Sequence, residues 1–308
     1  MKLYRFRIVG KGLLKNLISL AGLGAFLSSC GALWVILEIV SYFSDAPTVA
    51  FLKDRVWEFC ALSFAWAIFK RWPITRVACR LRGRDVTIEI AIGDLFKFKE
   101  GALIIGSNTT FDTRISNQLI SATSIQGAFT QKYYDGDSLR LDAELAPSLA
   151  ALACSPLAGK RVGKTDLYPP GTVVKLSPSS RTAYFVALAD INESGVASST
   201  FQAVQFALAE LWVEVASKGT KEPLVAPVLG TGFSRITEPR EDVIREMVTS
   251  FVAACTESVF ADKLTIVLSP ADVVKHKIDL RELGSFLEYV CVYSRHATPR
   301  SLSGRAES

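Results

Sequence analysis

The sequence predicts an α/β fold: a mixed sheet with helices on both faces, preceded by an N-terminal two-helix transmembrane hairpin. Three observations predict it. Residues 17–37, LISLAGLGAFLSSCGALWVIL, contain no charge. From residue 86 onward, short β-branched runs alternate with stretches of helical period. Three of those runs end in glycine, as buried strands of such sheets do.

The hairpin comes first. A helix rises about 1.5 Å per residue, so the uncharged run crosses a hydrocarbon layer of roughly 30 Å. It is too long for a signal peptide and continues into EIVSYF without a small-residue cleavage site. Asp45-Ala46-Pro47 breaks the pattern, and Val56–Phe69 forms a second, shorter apolar run carrying Glu58. The helices are expected over about 13–43 and 49–72. Both flanks are basic without acid: Lys2, Arg5, Arg7, Lys11 and Lys15 on one side, and Lys70, Arg71, Arg76, Arg80, Arg82 and Arg84 on the other. The second run is long enough to span only as a tilted helix and could equally lie in the interface; the positive-inside rule puts both flanks in the cytoplasm and so favours two crossings. Ala21, Ala25 and Ser29, and beside them Gly24, Ser28 and Ala32, form small-residue rows that let helices approach in lipid. This module is expected to end at Arg84, its cationic stretch 70–84 lying against the bilayer.

A nucleotide-scale α/β domain is expected over 85–293, followed by a polar tail, 294–308. Strands are read at 86–92, 102–106, 172–176, 182–189, 224–229 and 264–268. Helices are read at 115–134, near 142–153, at 201–218, at 238–255 with Thr237 as N-cap, and at 279–290. Six scattered cysteines and two histidines argue against a disulfide framework, a metal site or a Ser-His-Asp triad. The net charge of +5 is mild, and its concentration beside the apolar runs predicts a lipid bilayer, not nucleic acid, as partner.

The strand ends carry the candidate chemistry. IAIGDLF ends at Gly93, Asp94 and Leu95; LIIGSNTTFD at Gly106, Ser107, Asn108 and Thr109; PVLGTGFSR at Gly230, Thr231, Gly232, Phe233, Ser234 and Arg235. Glycine lets an oxyanion approach backbone N–H groups, and a following helix N-terminus favours negative charge. Arg235 is positioned to neutralise phosphate. Phe111 and Phe233 are candidates to stack on a base or flank a ribose, with core packing expected for at least one of them, and Asp190, Asn192 and Glu193 are read chiefly as loop caps. No catalytic or metal-binding residue is assigned.

These three motifs, in this order and spacing, resemble those of the macro domain, a module that binds ADP-ribose. The resemblance covers roughly residues 86–275 and implies a three-layer mixed sheet. It implies that Asp94 contacts adenine, that Asn108 contacts the distal ribose, and that Gly230, Thr231 and Gly232 wrap the pyrophosphate. Ile105 stands where that family's first loop asparagine would be, and Ser234 and Arg235 where another glycine is common. With the basic-flanked hairpin and YPPGTVV at 168–174, the layout resembles the membrane-bound effectors of the Thoeris bacterial anti-phage system. That resemblance implies a receptor without catalysis at the bacterial inner membrane, both termini cytoplasmic. Its signal would be an ADP-ribose-derived nucleotide, such as histidine-ADP-ribose, made by a TIR-domain partner. Binding would drive homo-oligomerisation and membrane disruption. The alternative is a membrane-tethered ADP-ribosyl hydrolase using Asp94, Asp112 or a bound water as base; a ligand-free scaffold is a third reading.

Overall fold

The computed structural model describes residues 20–43, 55–70, 74–116, 119–191, 197–230 and 236–293. The chain divides into two units, Met1–Ile74 and Thr75–Ser308. The expected flanks 1–19 and 294–308, the Asp45–Pro47 break and Trp72 lie outside the described residues.

In the first unit, α1 spans Leu20–Phe43 and α2 spans Val56–Lys70. Residues Leu23–Phe43 of α1 are long and apolar enough to cross a membrane. By the same measure the described part of α2, at 15 residues, is shorter than a span. The two helices pack together: Phe26 meets Phe64 edge-on at 6.5 Å, and Ser63 and Ala67 are buried. Leu27, Trp34, Val35, Ile36 and Ile39 face outward. The small-residue row is not spent on this packing. A Cβ on Gly24 or Gly31 would meet nothing within 4 Å, and Gly24, Ala25, Ser28 and Ala32 line an open groove of about 1020 Å³ with Trp66 and Phe69.

The second unit is built on a mixed sheet. Its strands are β1 (Arg76–Arg80), β2 (Thr87–Ile92), β3 (Ala102–Asn108), β6 (Val173–Leu176), β7 (Ala183–Ile191), β9 (Leu224–Pro227) and β10 (Lys263–Leu268), in the order β1-β2-β10-β9-β3-β7-β6. A short β8 (Ala197–Ser198) pairs the end of β7, and β4 (Ser155–Pro156) pairs β5 (Asp166–Leu167) as a separate hairpin. The five central strands, β2-β10-β9-β3-β7, are mutually parallel. Their carboxyl ends therefore share one edge of the sheet.

Helices cover both faces, as the continuous apolar strands require. Helices α5 (Phe201–Lys218), α6 (Arg240–Glu257) and α8 (Leu280–Glu288) bury Leu208, Leu211, Val248, Phe251 and Leu283 against Ile88, Ile90, Ile104 and Ile266. Helices α3 (Ile125–Tyr133) and α4 (Ser138–Ala150) bury Phe129, Leu141 and Leu145 against Leu103, Ile105 and Phe185. Ile105 is thus a core side chain.

Several expectations are corrected. The module boundary falls at Ile74/Thr75, not at Arg84, because residues 76–80 pair antiparallel with β2. The arginines of this stretch lie on the exposed face of an edge strand, with Val77 and Cys79 half-buried, which is a common way to blunt a sheet edge. The helix read over 115–134 begins only at Ile125, because Ser124 caps it by accepting from the Gly127 N–H at 3.0 Å. The helix read near 142–153 runs from Ser138, capped by Asp137. Thr237 is not the cap of α6; Pro239 occupies that position, and the Thr237 hydroxyl bonds Glu238 instead. A further helix, α7 (Pro270–His276), follows Ser269, whose hydroxyl accepts from the Asp272 N–H at 3.1 Å.

Candidate functional site

The parallel core brings the strand-end loops together. Gly93 and Asp94 follow β2, Ser269 follows β10, Val228 to Gly230 follow β9, Asn108 closes β3, and Asp190 lies near the end of β7. All lie at the carboxyl edge, where ligands of such sheets bind. Two helices begin beside this rim. Thr200 caps α5 by accepting from the Ala203 N–H at 3.1 Å, and α7 starts at the Ser269 cap.

Gly230 shows why glycine is required here. Its φ is +67°, and a Cβ would lie 2.3 Å from Ile236 Cδ1 and 2.8 Å from Val204 Cγ2 in the first turn of α5. Both the left-handed backbone and the close approach exclude a side chain. Thr231, Gly232, Phe233, Ser234 and Arg235 lie outside the described residues.

Asp94 sits half-buried at the rim. Its Oδ1 accepts from the Phe96 N–H at 3.1 Å and starts the 3-10 turn Leu95–Lys97. Leu95 is a core residue, not a rim residue. Gly93 donates its N–H to the Leu268 carbonyl at 2.9 Å, tying the two strand ends.

The β3 exit is unusually polar for a buried segment. Asn108 accepts from the Asp112 N–H at 3.0 Å and donates to Asp112 Oδ2 at 3.0 Å. Thr110 donates its hydroxyl to Asp112 Oδ2 at 2.7 Å. Lys160 donates to the same oxygen at 2.6 Å, while Lys164 N–H donates to Asp112 Oδ1 at 2.8 Å. The side chains of Lys160 and Asp112 are 0% and 1% exposed, so this is a fully buried ion pair. The amide of Asn108 is therefore engaged in holding the loop. Phe111, read as a possible base-stacking ring, is buried and packs edge-on against Tyr168 at 5.6 Å.

Two hydroxyls next to this network are left over. Ser107 Oγ and Thr109 Oγ1 are buried with no hydrogen-bond partner among the described residues. Burying a hydroxyl unpaired costs about 1–3 kcal/mol. Both flank Asn108 at the strand end, so the rim fits a ligand rich in hydroxyl and phosphate oxygens. A cation also stands at this edge: Arg240 opens α6, half-buried, and burial lowers its pKa against the opposing pull of Asp272.

Sequence reasoning missed Lys160, Lys164 and Arg240 and gave Asp112 only a proton-transfer role. Lys160 reaches Asp112 across 48 positions, a separation no periodicity reports. The GKRVGK run at 159–164 reads as an ordinary solvated loop. Arg240 had a faint signal, a basic residue one position past a helix-starting proline. Asp190 is exposed at the rim; Asn192 and Glu193 lie outside the described residues.

Known proteins share this layout. The model of the family described as Thoeris protein ThsA, Macro domain matches residues 88–269. The Thoeris protein ThsA of Bacillus amyloliquefaciens (strain Y2) is 23% identical over 169 residues, covering 53% of this chain and 54% of that protein. The chain thus matches about half the length of that relative. Among solved structures, the Oceanobacillus iheyensis macrodomain with ADP is 14% identical, with a TM-score of 0.47, covering 68% of this chain and 98% of that one. The Trypanosoma brucei macrodomain in complex with ADP-ribose is 11% identical, with a TM-score of 0.41, covering 64% and 72%.

Proposed function

The chain belongs to the Thoeris ThsA macro-domain family, and on that premise we propose that it is a membrane-bound receptor for an ADP-ribose-derived nucleotide. The observation that carries this reading is the meeting of the Gly93-Asp94, Asn108-Thr109 and Gly230 loops at one sheet edge. A dinucleotide-sized ligand laid along that edge would pass Gly93-Asp94 after β2, then Gly230 after β9, then Asn108-Thr109 after β3. Asp94 would accept from the adenine amino group with Oδ2, which has no protein partner among the described residues. Ser107 and Thr109 would supply hydroxyls to the sugar or phosphate oxygens, and the Gly230 loop would approach the pyrophosphate. The amino end of α5 adds a favourable dipole.

The effector half of the proposal rests on the first unit. Helix α1 anchors the chain in the bacterial inner membrane, with α2 completing a hairpin that keeps both termini cytoplasmic. The open small-residue groove of α1 and α2 supports homo-oligomerisation. A TIR-domain partner would supply the nucleotide, with histidine-ADP-ribose as the leading candidate, and the assembled hairpins would breach the bilayer. Ligand can favour assembly only by its difference in affinity between the two states.

A hydrolase at the same rim would need a general base within reach of the ligand. Asp112 does not supply one, because both its oxygens are committed to the buried network. This removes Asp112 as the base and leaves Asp94 and a bound water as the candidates a hydrolase would use. The test mixes full-length protein in detergent with ADP-ribose and its histidine conjugate, following mass by light scattering and ligand by mass spectrometry. Binding with growth in mass and intact ligand is expected. Stoichiometric release of the attached group would favour the hydrolase.

A further inference from the structure

We propose that Lys160 is a positioning residue for the nucleotide rim, acting through Asp112 to set Asn108 and the backbone of Thr109 to Phe111; this rests on the nucleotide reading of the rim. The segment 157–168 forms a strap over the β3 exit, and it bonds each of the four residues after Asn108, Thr109 to Asp112. Tyr168 N–H donates to the Thr109 carbonyl at 2.8 Å. Lys160 Nζ donates to Thr110 Oγ1 at 2.7 Å and to Asp112 Oδ2 at 2.6 Å. Lys164 Nζ donates to the Phe111 carbonyl at 2.8 Å and is itself held by Asp142 of α4.

Two independent observations say that the strap fixes a geometry as well as adding stability. Phe111 is a bulky residue at φ +48°, a conformation that costs energy unless its surroundings impose it, and such strain gathers at ligand sites. Gly163, at φ +90°, lets the strap backbone come so close that a Cβ there would lie 2.3 Å from Asp112 Oδ1. The choice of a buried ion pair points the same way. Apolar residues of similar volume are often equally stable, whereas a lysine and a carboxylate lock one register. Among the described residues, the clamp leaves the hydroxyls of Ser107 and Thr109, which flank Asn108, and that of Thr113 beyond Asp112 without a hydrogen bond. The strap therefore spends its own donors on residues 109–112 and bonds neither hydroxyl beside Asn108.

The test uses full-length protein in detergent, with ADP-ribose as the probe in isothermal titration. Melting temperature and hydrogen exchange are recorded on the same samples. Lys160→Met is expected to bind about tenfold more weakly, and Lys164→Met, at a half-buried position that tolerates change, about threefold more weakly. In both, exchange at residues 108–113 quickens while that of β9 is unchanged. Lys160→Met with Asp112→Asn removes the unpaired charge; it regains melting temperature over Lys160→Met but still binds about tenfold more weakly. A purely structural role predicts lowered melting temperatures with wild-type affinity in the folded protein, which would overturn the inference. If Lys160→Met does not fold, unchanged affinity in Lys164→Met overturns it alone. Failure of the wild type to bind would sink the nucleotide reading and the inference together; wild-type binding with unaffected variants sinks only the inference.

Discussion

At the scale of single residues, the account makes claims that differ in kind. Gly230 is required by backbone and space together, so Gly230→Ala should cost about 1–3 kcal/mol in urea unfolding and weaken ADP-ribose binding as well. Asp94→Ala should weaken ADP-ribose far more than ribose 5-phosphate, because the lost acceptor faces only the adenine; equal losses for both would contradict that role. Tyr184 offers a test unconnected with function. Its hydroxyl is buried without a partner, and its pKa is pushed up to about 12 by burial first, then by Glu222 and Glu214. The neutral form is the one the fold holds. Its contribution is complete below about pH 10, the ordinary tyrosine value, and is lost as pH rises through about 12. Tyr184→Phe should therefore not destabilise the fold at pH 7 and should raise stability by up to about 1–3 kcal/mol. It should also flatten the fall in melting temperature between pH 10 and pH 12 measured by circular dichroism.

At the scale of elements, the sequence was legible where packing follows a local period. Helix α5 was read from Phe201 to Lys218 because Val204, Leu208, Leu211 and Val215 recur on one face and Gly219 ends the run. Trp212 of this helix is the hub of that layer, packing on Phe251 at 5.2 Å and Phe260 at 6.0 Å and donating to Ser250 Oγ at 3.1 Å. Trp212→Ala should cost about 3–5 kcal/mol by chemical denaturation. The misreadings have a common physical cause. Strand β1 looked like a basic membrane flank because an edge strand can hide its pairing behind arginines, and only β2 reveals it. The segment before α3 looked helical because its composition is, whereas Ser124 and the close return of Ser121 over Gly127 delay the helix. The site divided along the same line. The glycine loops announced themselves at strand ends. The clamp of Lys160 and Lys164 did not, since its partners lie 48 to 53 residues away.

At the scale of the whole molecule, two units answer two halves of the proposal, a lipid-facing one and a nucleotide-facing one. Because the sheet and its two cores belong to the second unit, a fragment of residues 75–308 should fold and bind ADP-ribose within about threefold of the full chain. It should remain in the supernatant when membranes are pelleted, while the full chain sediments with them. The central claim is that the rim formed by Gly93-Asp94, Asn108-Thr109 and Gly230 receives an ADP-ribose-type nucleotide. Photolabelling of the full-length protein with 8-azido-ADP-ribose, followed by peptide mapping, tests it most directly. The account predicts label in the peptide holding Gly93 to Phe98, where the adenine lies, abolished by excess unlabelled ADP-ribose. Label that resists competition, or that maps away from the rim, would contradict it.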